Sequence, residues 1–350
     1  MKTEEKIRLF NDVFAPKKGE RILFLVDVPH DDIVDNEKWV DRRRMAGEWF
    51  QVFRQMDKVE GFFVEILEYD ATGMHNHPIP KAVVDVLLGY DLVIAMTEFS
   101  ATASLVPICT AEGSKTRGAS MPMVERRMEN TAFKADYQLV KKYALCISGM
   151  LEDSVSAEVV FSTGDKLFFD LRNRRPLADT GDCTKPGLFI NFPSGEACKA
   201  PYEGIGDEVK RFGDSQTMGV MPVDFDGELV KFEVKNNRII NVIGSGDKAE
   251  EMRVFFDENS TRGNIAELGI GCNPCAVVTG NILEDEKVGG LHIAYGTSSH
   301  IGGKVDSDMH QDVVYAKGCP VESKTLDLML KDGKKILLIE NGMLRYELLK

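Results

Sequence analysis

The chain has 350 residues, with 43 Lys+Arg against 56 Asp+Glu and a formal net charge of −13. Nucleic-acid binding depends on cationic side chains that displace phosphate counterions, so an acidic chain without a Lys/Arg-rich block argues against that class of partner. With 43% hydrophobic and 28% charged residues the composition is that of a folded globular protein, and the length suggests about two domains. No stretch approaches the roughly 18 uncharged apolar residues that a bilayer-spanning helix needs. MKTEEKIRLFNDVF lacks the apolar centre of a signal peptide, so a cytoplasmic protein without a membrane partner is expected. Seven cysteines, an odd number, are scattered from Cys109 to Cys319 and are expected to be reduced.

In chain order, the apolar run ILFLVDV at 22–28 reads as a buried strand. Residues 37–57 carry Met45, Trp49, Val52, Phe53 and Met56 at the spacing of one helical face. FFVEIL at 62–67 and LVIAM at 92–96 follow as further short apolar runs, the pattern of buried parallel strands alternating with helices. The expectation is an open, doubly wound α/β domain over residues 1–150. Beyond residue 150 the pattern changes to paired β segments around turns. AEVVFS and KLFFDL flank Thr163-Gly164-Asp165, ELVKFEV and RIINVI flank Asn236-Asn237, and TLDLML and KILLIE flank Asp332-Gly333. Residues 151–350 therefore read as a β-rich α+β domain, with a helix near Asp247–Phe256.

Three of the six histidines, His292, His300 and His310, fall in GGLHIAYGTSSHIGGKVDSDMHQDVV, which also carries Asp306, Asp308 and Asp312. Imidazoles and carboxylates gathered in a polar, Gly-rich segment can collect around a metal. His310 and Asp312 are two apart, so on a strand both point to one face and can meet one ion. In NIAELGIGCNP, Glu267 is costly to bury among apolar neighbours without an arginine or a metal, and on an exposed face it would simply meet water. Glu196, in NFPSGEACKAP, sits on a Pro/Gly-framed turn where a solvated glutamate is equally ordinary. Cys272 and Cys275 form a lone CxxC, His75 and His77 an i, i+2 pair beside a Pro-rich turn, and His30 follows a strand where ligand-contacting loops often lie. No GxxxxGK[ST] exists and GIGDE and GSGDK lack the framing of a dinucleotide site, so no nucleotide cofactor is expected.

NFPSGE at 191–196, GNIAELGIG at 263–271, TGNILEDEKVGGLHIAYG at 279–296 and the GG…S..H.D ending at Asp312 occur in the order seen in the aminopeptidase T (leucyl aminopeptidase) family of metallopeptidases, which the second half of the chain resembles. That resemblance implies a C-terminal catalytic domain with two divalent ions (zinc, cobalt or manganese) held by Glu196, Glu267, His292, His310 and Asp312. It further implies a small peptide or other small molecule as substrate, a homodimer, and a catalytic or ligand-orienting carboxylate at Glu286. The family's tyrosine ligand, seven residues after its first ligand histidine, corresponds to Ser299, which puts His300 in line to take its place. Ring-opening dioxygenases acting on dihydroxypyridines resemble the same fold and use iron(II). Where they have an iron-ligand histidine this chain has Glu267, the peptidase pattern. A metallo-aminopeptidase is thus the leading expectation and a non-haem iron dioxygenase the alternative.

Overall fold

A computed structural model describes residues 1–350, which divide into two compact units. The first comprises Met1–Lys141, Asp179–Ser194 and Pro274–Val277; the second comprises Lys142–Ala178, Gly195–Asn273 and Val278–Lys350. The division departs from a single cut at residue 150, because two later segments return to the first unit. In chain order the strands are β1 (Arg21–Val28), β2 (Phe63–Asp70), β3 (Leu92–Ala95), β4 (Arg117–Ser120), β5 (Ser154–Phe161), β6 (Lys166–Asp170), β7 (Leu177–Asp179), β8 (Phe189–Asn191) and β9 (Glu196–Lys199). They continue with β10 (Met218–Phe225), β11 (Glu228–Lys235), β12 (Arg238–Ile243), β13 (Ile265–Gly271), β14 (Gly290–Gly296), β15 (His310–Val314), β16 (Ser323–Leu330), β17 (Lys335–Glu340) and β18 (Met343–Leu344). No helix is long and apolar enough to cross a membrane.

The first unit is built on a parallel sheet in the order β2-β1-β3-β4-β8. The helix expected at 37–57 runs Glu37–Glu60 and buries Met45, Trp49, Val52, Phe53 and Met56. It starts where the Asn36 side chain accepts from Trp39 N–H and stops at Gly61, whose left-handed φ of 75° closes the last turn. Burial holds for β3 and for residues 22–27 of β1, which lie inside the sheet, but not for β2. That strand is an edge, and its Phe63 is 64% exposed.

The second unit contains an eight-stranded antiparallel sheet, β12-β11-β10-β6-β5-β16-β17-β18, and a five-stranded one, β15-β14-β13-β9-β7. All three expected hairpins form: β5 with β6, β11 with β12, and β16 with β17. Asn236 and Asn237 both take positive φ, 51° and 64°, as a two-residue hairpin turn matching the strand twist requires. The expected helix after β12 spans Asp247–Glu258. Phe169, Met221 and Phe232 of the larger sheet share one core with Ala197, Leu268, Ile270, Leu291, Ile293 and Tyr295 of the smaller. That packing uses one face of the five-stranded sheet. Because strand side chains alternate, it commits the intervening residues to the opposite face.

Candidate metal centre

Glu196 and Cys198 of β9, Gly269 and Gly271 of β13, His292, Ala294 and Gly296 of β14, and His310 and Asp312 of β15 alternate with core residues and so share that opposite face. Glu267 joins them through a β-bulge. In unbroken alternation it would point with Ile265 into the core, but the register slips between Ile265 and Glu267 and turns the carboxylate over. The register then interleaves functional side chains with the smallest residues. Gly269 stands opposite both His292 and Cys198, Gly271 opposite Glu196, Ala294 between Glu267 and Asp312, and Gly296 opposite His310. A Cβ on Gly269 would lie 1.9 Å from His292 Nε2, so the glycine vacates the space that the imidazole fills.

Two groups of ligand atoms result, each within 4.8 Å of one another: Glu196, Glu267 and His292, and Glu267, His310 and Asp312. Glu267 belongs to both. Its Oε1 lies 3.1 Å from His292 Nε2 and its Oε2 3.3 Å from His310 Nε2. Glu196 Oε2 is 3.5 Å from His292 Nε2 and Asp312 Oδ1 is 3.6 Å from His310 Nε2. His310 Nδ1 donates to the Thr297 carbonyl at 2.7 Å, and since a carbonyl can only accept, that tautomer leaves Nε2 for the carboxylates or a cation. Glu196 Oε2 is buried with no hydrogen-bond partner. An orphaned carboxylate oxygen converging with imidazole nitrogens is what a divalent cation would satisfy. Residues from both groups could therefore hold metal.

Charge distribution agrees with that fit. Burial opposes ionisation of Glu267, but hydrogen bonds from His292 and His310 hold its carboxyl well below the usual range. Burial likewise opposes charge on His292, while Glu267, Glu196 and Asp312 push it up to about 9. Burial and then Asp312 and Glu267 act on His310, with a net upward shift. Protons on the imidazoles thus balance the carboxylates of the metal-free chain, and cation binding must displace them. Glu286 follows a short helix, Ile282–Asp285, and is pushed up to about 8 by burial and by the Glu196 and Asp312 charges, with Lys287 acting against them.

His300 stands beside the cluster, outside both groups, with its ring meeting His310 edge-on at 4.7 Å between centroids. Loss of solvation against His310 and the charge of that ring lower its pKa. The loop bearing it is anchored by Glu203, which accepts from Ser298 Oγ and from Lys304 N–H, the latter at 2.8 Å, and is itself paired with buried Arg174.

Sequence reasoning missed two residues. Lys287 is fully enclosed, its Nζ 2.6 Å from Glu196 Oε1 and 2.7 Å from Glu286 Oε1. Its only signal was adjacency to Glu286 in LEDEK. Cys198 lies two residues after Glu196 on the same strand, and burial followed by the Glu267 and Glu196 charges keeps it a thiol. The lesser candidates have other partners. His30 Nε2 is 2.9 Å from the Ala71 carbonyl, His75 Nδ1 accepts from Ser100 N–H, and all seven cysteines are free of disulfides.

No family model and no curated protein matches the chain. The solved structures that match its fold include two that cover it from end to end. A 2,5-dihydroxypyridine dioxygenase from Pseudomonas putida KT2440 superposes with a TM-score of 0.69 at 16% identity, covering 100% of both chains. Wild-type AmpT from Thermus thermophilus, an aminopeptidase T, does so with a TM-score of 0.59 at 12% identity, covering 98% of this chain and 99% of that one. At these identities the likeness establishes a shared mixed α/β fold that serves enzymes of two kinds.

Proposed function

We propose that the chain is a dinuclear metallohydrolase of the aminopeptidase type, releasing N-terminal amino acids from small peptides. The observation that carries this reading is the sharing of Glu267 between two ligand groups. Three carboxylates and two imidazoles, divided so that each group holds one imidazole, suit two hard or borderline divalent ions bridged by one carboxylate. When bound, two such ions would supply an acidified water and polarise the scissile carbonyl. Glu267, one oxygen near His292 and the other near His310, would serve both ions, with Glu196 and His292 holding one and Asp312 and His310 the other. Glu286, beside Glu196 and Asp312 with its pKa pushed up to about 8 in the metal-free chain, would take the proton from the attacking water once bound cations lower that pKa, and return it to the leaving amine. Lys287 keeps that carboxylate and Glu196 in place. His300, whose ring meets His310 edge-on, would orient the substrate. Reconstitution with zinc, cobalt or manganese and a panel of short peptides tests the reading: release of N-terminal residues supports it, and no release with any of the three metals overturns it.

The second reading, an iron(II) ring-cleaving dioxygenase, is favoured by the higher structural likeness to the Pseudomonas enzyme. A mononuclear iron site of that kind uses two imidazoles and one carboxylate. Here His292 and His310 fall in different groups, and the group containing Asp312 has one imidazole and two carboxylates. Oxygen uptake on adding iron(II) and a dihydroxylated ring compound would favour this reading over hydrolysis.

A further inference from the structure

We infer that Lys287 is a positioning residue that makes the two ion positions unequal, leaving the Glu196, Glu267, His292 position the weaker and the Glu267, His310, Asp312 position the tighter. The inference rests on the dinuclear reading above. Lys287 is fully buried with its Nζ 2.6 Å from Glu196 Oε1 and 2.7 Å from Glu286 Oε1. An ammonium stripped of water is stable only with such partners, so the lysine and the two carboxylates form one fixed unit. The backbone builds that unit. Asn273 N–H donates to the Lys287 carbonyl at 2.9 Å, and Gly271, the cross-strand partner of Glu196, has no side chain where a Cβ would stand 2.1 Å from the Val288 carbonyl oxygen and 2.5 Å from that of Glu286. The vacancy lets segment 286–288 lie against the end of β13 and brings the ammonium onto Glu196.

The consequence for metal binding follows from the carboxylate chemistry. One oxygen of Glu196 accepts a short, charge-assisted hydrogen bond, so only Oε2 is free for an ion, and the charge it can offer is drawn toward the ammonium. Asp312 is paired instead with the His310 imidazole, 3.6 Å away, which is itself a ligand candidate once neutral. Glu267 serves both positions and cannot distinguish them. The two ends therefore differ by the lysine on Glu196, and also in that His310 Nδ1 donates to the Thr297 carbonyl whereas His292 Nδ1 is buried without a hydrogen-bond partner. An ion at that end should exchange while its neighbour stays.

Calorimetric titration of zinc into the chelator-stripped, full-length chain tests this, with metal content read by mass spectrometry. Two binding steps of different affinity are expected. Glu196→Gln should remove the weaker and Asp312→Asn the tighter. Lys287→Met, which removes a positive charge beside the ion, should strengthen the weaker step by about 10- to 100-fold without moving the tighter, while Lys287→Arg, which keeps the cation, should preserve the gap. Thermal unfolding of each metal-free variant checks that it folds; should Lys287→Met fail, the Glu196 and Asp312 variants decide. Equal affinities in the wild type, loss of the tighter step in Glu196→Gln, or an unchanged weaker step in a folded Lys287→Met would overturn the inference while leaving two ions bound. Fewer than two ions on the wild type would overturn the dinuclear reading itself.

Discussion

Gly269→Ala probes how the sheet face was shaped for its ligands. The added Cβ would stand 1.9 Å from His292 Nε2 and 2.4 Å from both Cδ2 and Cε1, where ordinary contact starts at 3.4 Å. The ring tip must therefore retreat by about 1.5 Å, the difference between those two distances. His292 is 1% exposed, so the ring has no solvent to move into and must displace its neighbours. Zinc–imidazole bonds are about 2.0–2.1 Å long, so such a retreat takes Nε2 out of bonding range. The expected result is loss of one ion per chain, with affinity at the His292 position down by at least about 100-fold and peptidase activity down with it. The fold should survive. Gly269 does not use the left-handed backbone region, so alanine is conformationally tolerated, and overpacking of this kind costs about 1–3 kcal/mol. Metal content, calorimetric affinity and the melting curve of the stripped protein separate these effects. An alanine variant that binds two ions with wild-type affinity would refute the argument that Gly269 makes room for a ligand.

Three further predictions follow from other parts of the structure. Glu286→Gln should retain two bound ions while kcat falls by about 10²- to 10⁴-fold, the usual contribution of a positioned acid or base; wild-type kcat would remove Glu286 from the proton-transfer role. Chelation should lower the melting temperature, because each ion at a free concentration 100 times its Kd contributes about 2.7 kcal/mol and leaves clustered carboxylates behind when removed; an unshifted melt would contradict this. In the first unit, burial works against ionised Glu129, but the Lys6 ammonium at 2.7 Å and the Trp49 indole N–H, also at 2.7 Å, hold its pKa below the usual value. A depressed carboxyl contributes stability that is present above the unfolded-chain value of about 4.3 and is lost as pH falls through the lower folded value. Glu129→Gln should therefore lower the melting temperature at pH 7 and flatten its acid limb below about pH 4.3; an acid limb as steep as wild type would place the acid sensitivity elsewhere.

The sequence made the periodic elements legible. The Glu37–Glu60 helix announced itself by its apolar stripe, and the three hairpins by their turn residues, because both signals are local. The exposure of β2 was not legible, since a strand's place at a sheet edge is set by partners far along the chain. Nor was the return of residues 179–194 and 274–277 to the first unit, which depends on pairings such as β4 with β8. At the candidate site, Glu196, Glu267, His292, His310 and Asp312 could be named from motif order and i, i+2 spacing, and the structure brings these side chains together on four adjacent strands. Their division into two groups about Glu267 depends on a bulge at Ile265–Glu267 that no local pattern signals. Lys287 escaped notice because a lysine beside glutamates reads as a solvated surface, and only the bare Gly271 lets its segment close over Glu196. The departure at Ser299 was visible, but whether His300 would enter the cluster was decided by a loop tied down through Glu203 and Ser298.

The central claim is that one carboxylate, Glu267, joins two ion positions. Native mass spectrometry of zinc- or manganese-loaded chain, wild type against Glu267→Gln, tests it directly. Two ions per wild-type chain and loss or marked weakening of both in the variant are predicted. A single ion on the wild type, or a variant that sheds one ion and keeps the other at wild-type affinity, would contradict the account.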